Sequence, residues 1–281
     1  MAIYNYTTPT KVQNLLQLQS AFSSSTVVTT ETVENHIARK EAFIDNITNS
    51  SWAIRQVPDY EYYDSDEFLP DRNIGIKIFL GHNRIKTLSA ALGDKLEIWD
   101  GSSYVDWLGT KTEGRNDDYW FDYKQGILFI VGTGYQGIKK VRIIYRYGGT
   151  ETEINGSHTD SVTTITVDST TGFQQRGVIR VNFSEEISYV SKTSTTFTTA
   201  TRGVNNTTAT SYTGDEIVQQ IPGDIEEACT KLVAIELLTS EDMSALLPEN
   251  SPPNFAFSEK IRKWQEDVNR ILDAHKEIVV V

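Results

Sequence analysis

Cysteine is nearly absent: Cys229 is the single one in 281 residues, so no disulfide framework can form within the chain. It falls inside a helical apolar pattern, where a small buried thiol belongs to the core. Histidine is also scarce. His36, His82, His158 and His275 are scattered, with no pair at metal-ligand spacing and no Cys/His cluster, so neither metal catalysis nor a bound cofactor is expected. No run approaches ~18 consecutive apolar residues, and residues 1–10 lack a basic region followed by an apolar stretch. The chain is therefore expected to be soluble, without a membrane partner, and assembled on the cytoplasmic side. Positive charge is in deficit, with 26 lysines and arginines against 38 acidic residues and a formal net charge of -12. Phosphate contacts need a basic surface, so free binding to nucleic-acid backbones is excluded, whereas an acidic surface facing DNA would let it slide.

What is present is a sequence of globular composition, 38% hydrophobic and 23% charged, whose length exceeds the ~150-residue prior for one domain. Helical patterns stand at both ends, with a long run of strand patterns between them. Thr8 can cap a short helix with Pro9 at its first position, followed by Val12, Leu15 and Leu16 on one face. A longer helix opens near Thr30, with Val33, Ile37, Ile44 and Ile47 as its stripe, and ends at residues 49–51. Helical period returns after Pro222, where Asp224 as cap and Glu227 three residues later read as a capping box; Ile225, Ala228, Cys229, Leu232, Ile235 and Leu238 follow. A loop holding Pro248, Pro252 and Pro253 precedes a last helix, with Ser258 as cap and Ile261, Trp264, Val268, Ile271 and Leu272 buried. A helix cannot bury its stripe alone, so the ends should meet.

Between them, strand patterns at residues 74–80, 95–99, 119–123, 127–131 and 139–147 are separated by turn signals, among them Asp100-Gly101 and Gln125-Gly126. Residues 148–161 read as a polar linker, and residues 162–219 as a second, smaller β module. The fold class is thus α+β: a helical bundle made from both chain ends (1–53 and 222–281) with a large antiparallel β insertion in two modules (54–150 and 151–221).

Chemical signals are few. Residues 132–137, Gly-Thr-Gly-Tyr-Gln-Gly, match a dinucleotide fingerprint letter by letter, but a strand pattern follows where a helix is required, so the glycines read as a hairpin loop. Ser157, His158 and Asp160 share one short linker, a poor scaffold for a converging triad. Asp118, Trp120 and Asp122 lie on the outward alternation of a strand whose Tyr119, Phe121 and Tyr123 face inward. The simpler reading is structural; the alternative is a glycan contact, with carboxylates beside an aromatic ring. Lys140, Arg142 and Arg146 alternate along 139–147 as a solvated face or a docking face for an acidic partner. Ile278, Val279, Val280 and Val281 have high β-propensity and too few residues to fold alone, so they should add to a sheet, preferentially a partner's.

Residues 29–45, Thr-Thr-Glu-Thr-Val-Glu-Asn-His-Ile-Ala-Arg-Lys-Glu-Ala-Phe-Ile-Asp, with Ser51-Trp52 after them, resemble the helical opening of head-tail connector (adaptor) proteins of tailed viruses. Residues 221–229, Ile-Pro-Gly-Asp-Ile-Glu-Glu-Ala-Cys, resemble the helix that completes the bundle in that family. Thr171-Gly172-Phe173, Glu186-Ile187-Ser188-Tyr189, Phe197 and residues 201–209, Thr-Arg-Gly-Val-Asn-Asn-Thr-Thr-Ala, are similar to a small β module of virion tail and connector proteins, departing at Asn206 where glycine is common. The resemblance implies a non-enzymatic virion structural protein at the neck: a homo-oligomeric ring, typically dodecameric, between the portal protein and tail or neck proteins. The channel passes genome DNA without sequence-specific binding. It further implies that residues 278–281 anchor to the portal. The apolar stripes of the helical patterns themselves put Val33, Ile37, Ile44, Ile225, Leu232, Ile235, Trp264, Val268 and Ile271 in the expected bundle core. A tail or baseplate carbohydrate-binding protein is the alternative.

Overall fold

The structure, a computed structural model, describes residues 6–65, 75–131, 137–182, 184–240 and 255–276. It is a mixed α and β fold, with four α-helices and several antiparallel sheets among these residues. The chain divides into two compact units, one of Met1–Ala53 with Gly149–Val281 and one of Ile54–Gly148. Residues 278–281, the proline loop and all but Gly137 of the glycine motif lie outside the described residues.

The first unit begins with α1 (Pro9–Leu16) and α2 (Thr30–Thr48). Thr8 caps α1 by accepting from the Lys11 amide at 3.3 Å, and Pro9 takes the first position, where its missing donor costs nothing. Thr29 caps α2 by accepting from the Thr32 amide at 3.2 Å, and Asn49 closes it in the left-handed region. Tyr6 is pinned against α2: its amide donates to Glu41 at 2.8 Å and its hydroxyl to Asp45, and the Trp52 amide donates back to that hydroxyl at 2.7 Å. Burial and the Asp45 charge both push the Tyr6 pKa upward, so the phenol stays a donor.

Among the described residues of the second unit the regular elements are β-strands and one 3-10 turn, Ala90–Leu92. Its strands are β1 (Arg55–Gln56), β2 (Glu61–Tyr63), β3 (Ile76–Phe79), β4 (Lys95–Trp99), β5 (Tyr104–Asp106), β6 (Tyr119–Asp122), β7 (Ile127–Ile130), β8 (Val141–Ile144) and β9 (Arg146–Tyr147). They pair as a sheet of order β2-β8-β4-β5, a sheet of order β3-β7-β6 and the two-stranded ladder β1-β9. Alternation decides the faces. Leu96, Ile98, Val141 and Ile143 of one sheet and Ile76, Ile78, Tyr119, Leu128 and Ile130 of another belong to one core. The β6-β7 turn needs Gly126: its φ is +70°, and a Cβ there would lie 2.0 Å from the His82 carbonyl oxygen. Gly126→Ala is expected to lose roughly 1–2 kcal/mol from the backbone conformation alone, with the clash added. Urea unfolding of the variant measures the loss, and an unchanged midpoint would contradict this role.

The chain returns to the first unit at Gly149, whose amide donates to the Ala53 carbonyl at 3.4 Å. Strands β10 (Thr150–Glu153), β11 (Thr164–Thr166), β12 (Gly177–Val181), β13 (Glu185–Tyr189), β14 (Ser191–Lys192), β15 (Thr196–Thr198) and β16 (Ile217–Gln220) build two sheets, β10-β16-β12-β13 and β11-β15-β14. Ile165, Ile179, Val181, Ile187, Phe197 and Val218 fill the core of this module. The linker expected at 148–161 is corrected here, since Thr150 to Glu153 pair residue by residue with β16. Nothing apolar in Thr-Glu-Thr-Glu announces a strand; the partner supplies the ladder.

Two helices complete the unit, α3 (Gly223–Thr239) and α4 (Phe255–His275). Asp224 is not the cap of α3: Pro222 occupies that position, and the Asp224 carboxylate accepts from its neighbour Ile225 at 2.9 Å within the first turn. Ser258 likewise lies inside α4, which opens at Phe255. Val33, Ile37 and Ile44 share one buried cluster with Ile225, Cys229, Val233, Leu237, Val268 and Leu272, with Leu232 and Ile271 partly buried against it. Ile235 and Trp264 pack instead in a second cluster with Leu15, Leu16, Leu238 and Ile261.

Candidate partner-docking face of the inserted β unit

In the β2-β8-β4-β5 sheet, burying Val141 and Ile143 turns Arg142 outward, and the same alternation turns out Glu97 and Trp99 of β4. Register then sets Tyr62 beside Arg142, Arg142 beside Glu97, and Tyr104 beside Trp99. The Arg142 guanidinium lies 4.3 Å from the Tyr60 ring centre and 4.1 Å from that of Tyr104 while its Nε donates to Glu97. Tyr60 Oη donates to the other Glu97 oxygen at 2.7 Å. Burial works against the Arg142 charge, but the Glu97 carboxylate and neighbouring phenols offset it and hold its pKa above the ordinary arginine value.

Aromatic and cationic groups continue around this centre. Trp99 and Tyr104 rings meet edge to face at 5.2 Å, and Tyr62 and Tyr104 at 6.2 Å. Lys95 Nζ lies 5.4 Å from the Tyr60 ring centre and Lys139 Nζ 5.7 Å from that of Tyr62. Tyr62, the cross-strand neighbour of Arg142, is 47% exposed, aromatic surface left to solvent beside a fixed arginine. Tyrosine, tryptophan and arginine are enriched at contact centres between proteins, and here they stand among the carboxylates of Asp64 and Glu97.

Of the basic residues expected on this stretch, Arg142 is at the centre and Lys140 is half-buried just before β8. Arg146 is a correction. It is 5% exposed, with Nε donating to Asp94 at 3.1 Å and a terminal nitrogen donating to the Thr87 carbonyl at 3.1 Å. The expected single strand ends at Ile144, and beyond the fully buried Tyr145 the chain pairs with β1, so outward alternation does not persist to Arg146.

Asp118, Trp120 and Asp122 are each engaged by neighbouring residues of their own unit. Asp118 accepts from the Thr112 amide at 3.0 Å and pairs with Lys111 at 3.3 Å; Asp122 accepts from the Gln125 amide at 3.0 Å in the β6-β7 turn. The Trp120 ring stacks on Phe129 at 3.7 Å with the Arg115 guanidinium 5.4 Å from its centre, and its Nε1 is buried without a partner. In the module, His158 is a structural bridge: the Thr166 amide donates to Nε2 at 2.9 Å, so Nδ1 carries the proton and donates to the Gly156 carbonyl at 3.0 Å.

Sequence reasoning overlooked the buried charges of the module. Glu185, fully buried, accepts two bonds of 2.7 Å from Arg202, one of 2.6 Å from the Tyr212 hydroxyl, and the amides of Gly203 and Thr210 at 3.1 and 3.0 Å. Burial opposes its ionisation, yet Arg202, Tyr212 and Thr210 together hold its pKa below the ordinary glutamate value. Glu186 pairs with Arg180 at 2.5 Å and with Lys11 of α1 at 3.3 Å, while Lys11 also reaches Glu226 of α3 at 2.9 Å. One ammonium thus ties the module to two helices. Asn206, the departure from glycine, adopts φ +65° beside Asn205 at +56°, and the Thr207 amide closes the turn on the Val204 carbonyl at 3.2 Å. Asparagine tolerates this left-handed pair, so the turn survives without glycine. The available signal was Glu185 in alternation with Ile187 and Tyr189, where a strand predicts an inward side chain; Glu186 falls on the opposite alternation.

No helix among the described residues is long and apolar enough to cross a membrane, and no group of three or more His, Cys, Asp or Glu among them could hold a metal ion. No protein-family model and no curated protein matches the chain.

Proposed function

We propose that this is a virion structural protein: a head-tail adaptor that forms a ring between portal and tail and leaves a channel for DNA. The observation that carries the reading is the shared core of Ile37 and Ile44 with Cys229, Leu237 and Val268, which supports a closed bundle built from both chain ends. Ring closure then needs only head-to-tail contacts between identical subunits. Polar contacts tie the helices together: Glu236 of α3 hydrogen-bonds His36 at 2.9 Å and pairs with Lys40, both on α2, and Lys231 of α3 pairs with Asp267 of α4 at 2.9 Å. The resemblances of residues 29–45, 221–229 and 201–209 support the same assignment, and the net charge of -12 suits a passage that must not grip DNA.

Negative-stain imaging of the protein mixed with the portal ring of its own virus tests the reading. A ring stacked stoichiometrically on the portal is expected; an intact portal with nothing bound would overturn it. Removing Ile278, Val279, Val280 and Val281 is expected to abolish portal binding by taking away a strand that adds to a portal sheet. Retained affinity in the truncated chain would sink the anchoring role of those residues.

A further inference from the structure

We infer that α1 is a clasp holding the β module of residues 150–220 against the helices of its unit, and that releasing Lys11 frees the module as a hinged arm. The module and the helices have separate apolar interiors. Ile165, Ile179, Ile187, Phe197 and Val218 belong to one, Val12, Ile37, Cys229 and Val268 to the other, and the two clusters have no residue in common. The chain passes directly from module to helices at residues 221–222, between β16 and α3. At the module's start, Gly149 is tied to Ala53 by its 3.4 Å backbone bond. These two points are the pivots. Between described residues, two polar side-chain contacts then cross from module to helix: Glu186 to Lys11 and Asn206 to Thr10, each at 3.3 Å.

Glu186 stands on the outward alternation of β13, yet it is 2% exposed. Arg180 pairs with one of its carboxylate oxygens at 2.5 Å; the other accepts from the Asn205 amide at 2.6 Å and faces Lys11. Lys11 Nζ in turn meets Glu226 of α3 at 2.9 Å. Separating a buried ion pair is costly when it leaves a charge without a partner. Here neither charge is orphaned by opening: Glu186 keeps Arg180 and Asn205 within the module, and Lys11 keeps Glu226 among the helices. A contact whose two sides each retain a partner is suited to having an open and a closed arrangement. The turn at residues 204–207 adds the second hold. Its left-handed pair presents the Asn205 amide to Glu186 and the Asn206 amide to Thr10, so the side chain that stands where glycine is common is the one that reaches α1.

Spin labels in the full-length chain test the clasp, one at Val190→Cys in the module and one at Phe43→Cys on α2, both exposed positions; the native Cys229 is buried and stays unlabelled. With Lys11 in place a single narrow distribution of label distances is expected. Lys11→Met, similar in length but uncharged, should add a second population at longer distance, the open arrangement made visible. Lys11→Arg keeps the charge and the reach and should restore the single narrow distribution. Asn206→Gly, which keeps the turn and loses the bond to Thr10, should add less of the second population than Lys11→Met does. A distribution as narrow in Lys11→Met as in the parent overturns the inference. So does a Lys11→Met chain that loses its helical signal altogether, because the two interiors would then form one cooperative body. A second population of equal size in Lys11→Arg would show that the ammonium-carboxylate contact is not what holds the module, and would overturn it as well. The clasp stands or falls whether or not the protein binds a portal.

Discussion

Glu185→Gln is expected to destabilise the first unit by about 3–5 kcal/mol, the cost of leaving one member of a buried ion pair without its counter-charge. For a cooperative unit of this size that corresponds to a fall of roughly 10 °C in the unfolding midpoint. The side chains concerned are 0% exposed for Glu185 and 6% for Arg202, so water cannot replace the missing charge. Glutamine keeps the shape but brings a donor where Arg202, Tyr212, Gly203 and Thr210 all donate. The pH dependence separates this effect from a packing defect. Folding lowers the Glu185 pKa, so the native state binds fewer protons than the unfolded chain, and the stabilisation is complete above the unfolded value of ~4.3. It is lost as pH falls through the folded value. Glu186 and Glu236 are shifted in the same direction and add to the acid loss. Urea midpoints followed downward from pH 7 should converge for wild type and variant; parallel curves would show that the carboxylate charge is not what holds the site.

Ile37→Ala is expected to cost about 2–5 kcal/mol, through lost transfer energy and the cavity left behind. Ile37 is fully buried in the cluster that includes Ile225, Val233 and Val268, so the damage should not stay in α2. Hydrogen exchange reads this directly, because helices that share one cooperative core lose protection together. Faster exchange throughout Gly223–Thr239 is expected. If exchange quickened in α2 alone, the two chain ends would not share one core, and the bundle proposed for the adaptor would fail with it.

Helix starts were legible where the cap is a side chain acting on its own chain. Thr8 before Pro9 reads correctly from sequence because capping is local. Asp224 and Ser258 mislead for the same reason: each has a capping residue type, but Pro222 stands at the cap of α3, and Ser258 lies within Phe255–His275. Strand β10 was illegible because its ladder belongs to Ile217–Gln220, about 65 residues away. Lys140, Arg142 and Arg146 read as one stripe under unbroken alternation, and the change of partner strand after Ile144 buried the third of them.

By itself the sequence determined what depends on neighbouring residues and on totals: the helical segments and the Thr8 cap, the alternation that turns Arg142 out and Ile143 in, the lone cysteine and the acidic balance. Only tertiary structure decided which charges are buried together. Glu185 and Arg202, or Lys11 and Glu186, meet because strands and helices distant in sequence close on one another. Desolvation and pairing act over a few ångströms of space, a distance that residue order does not encode.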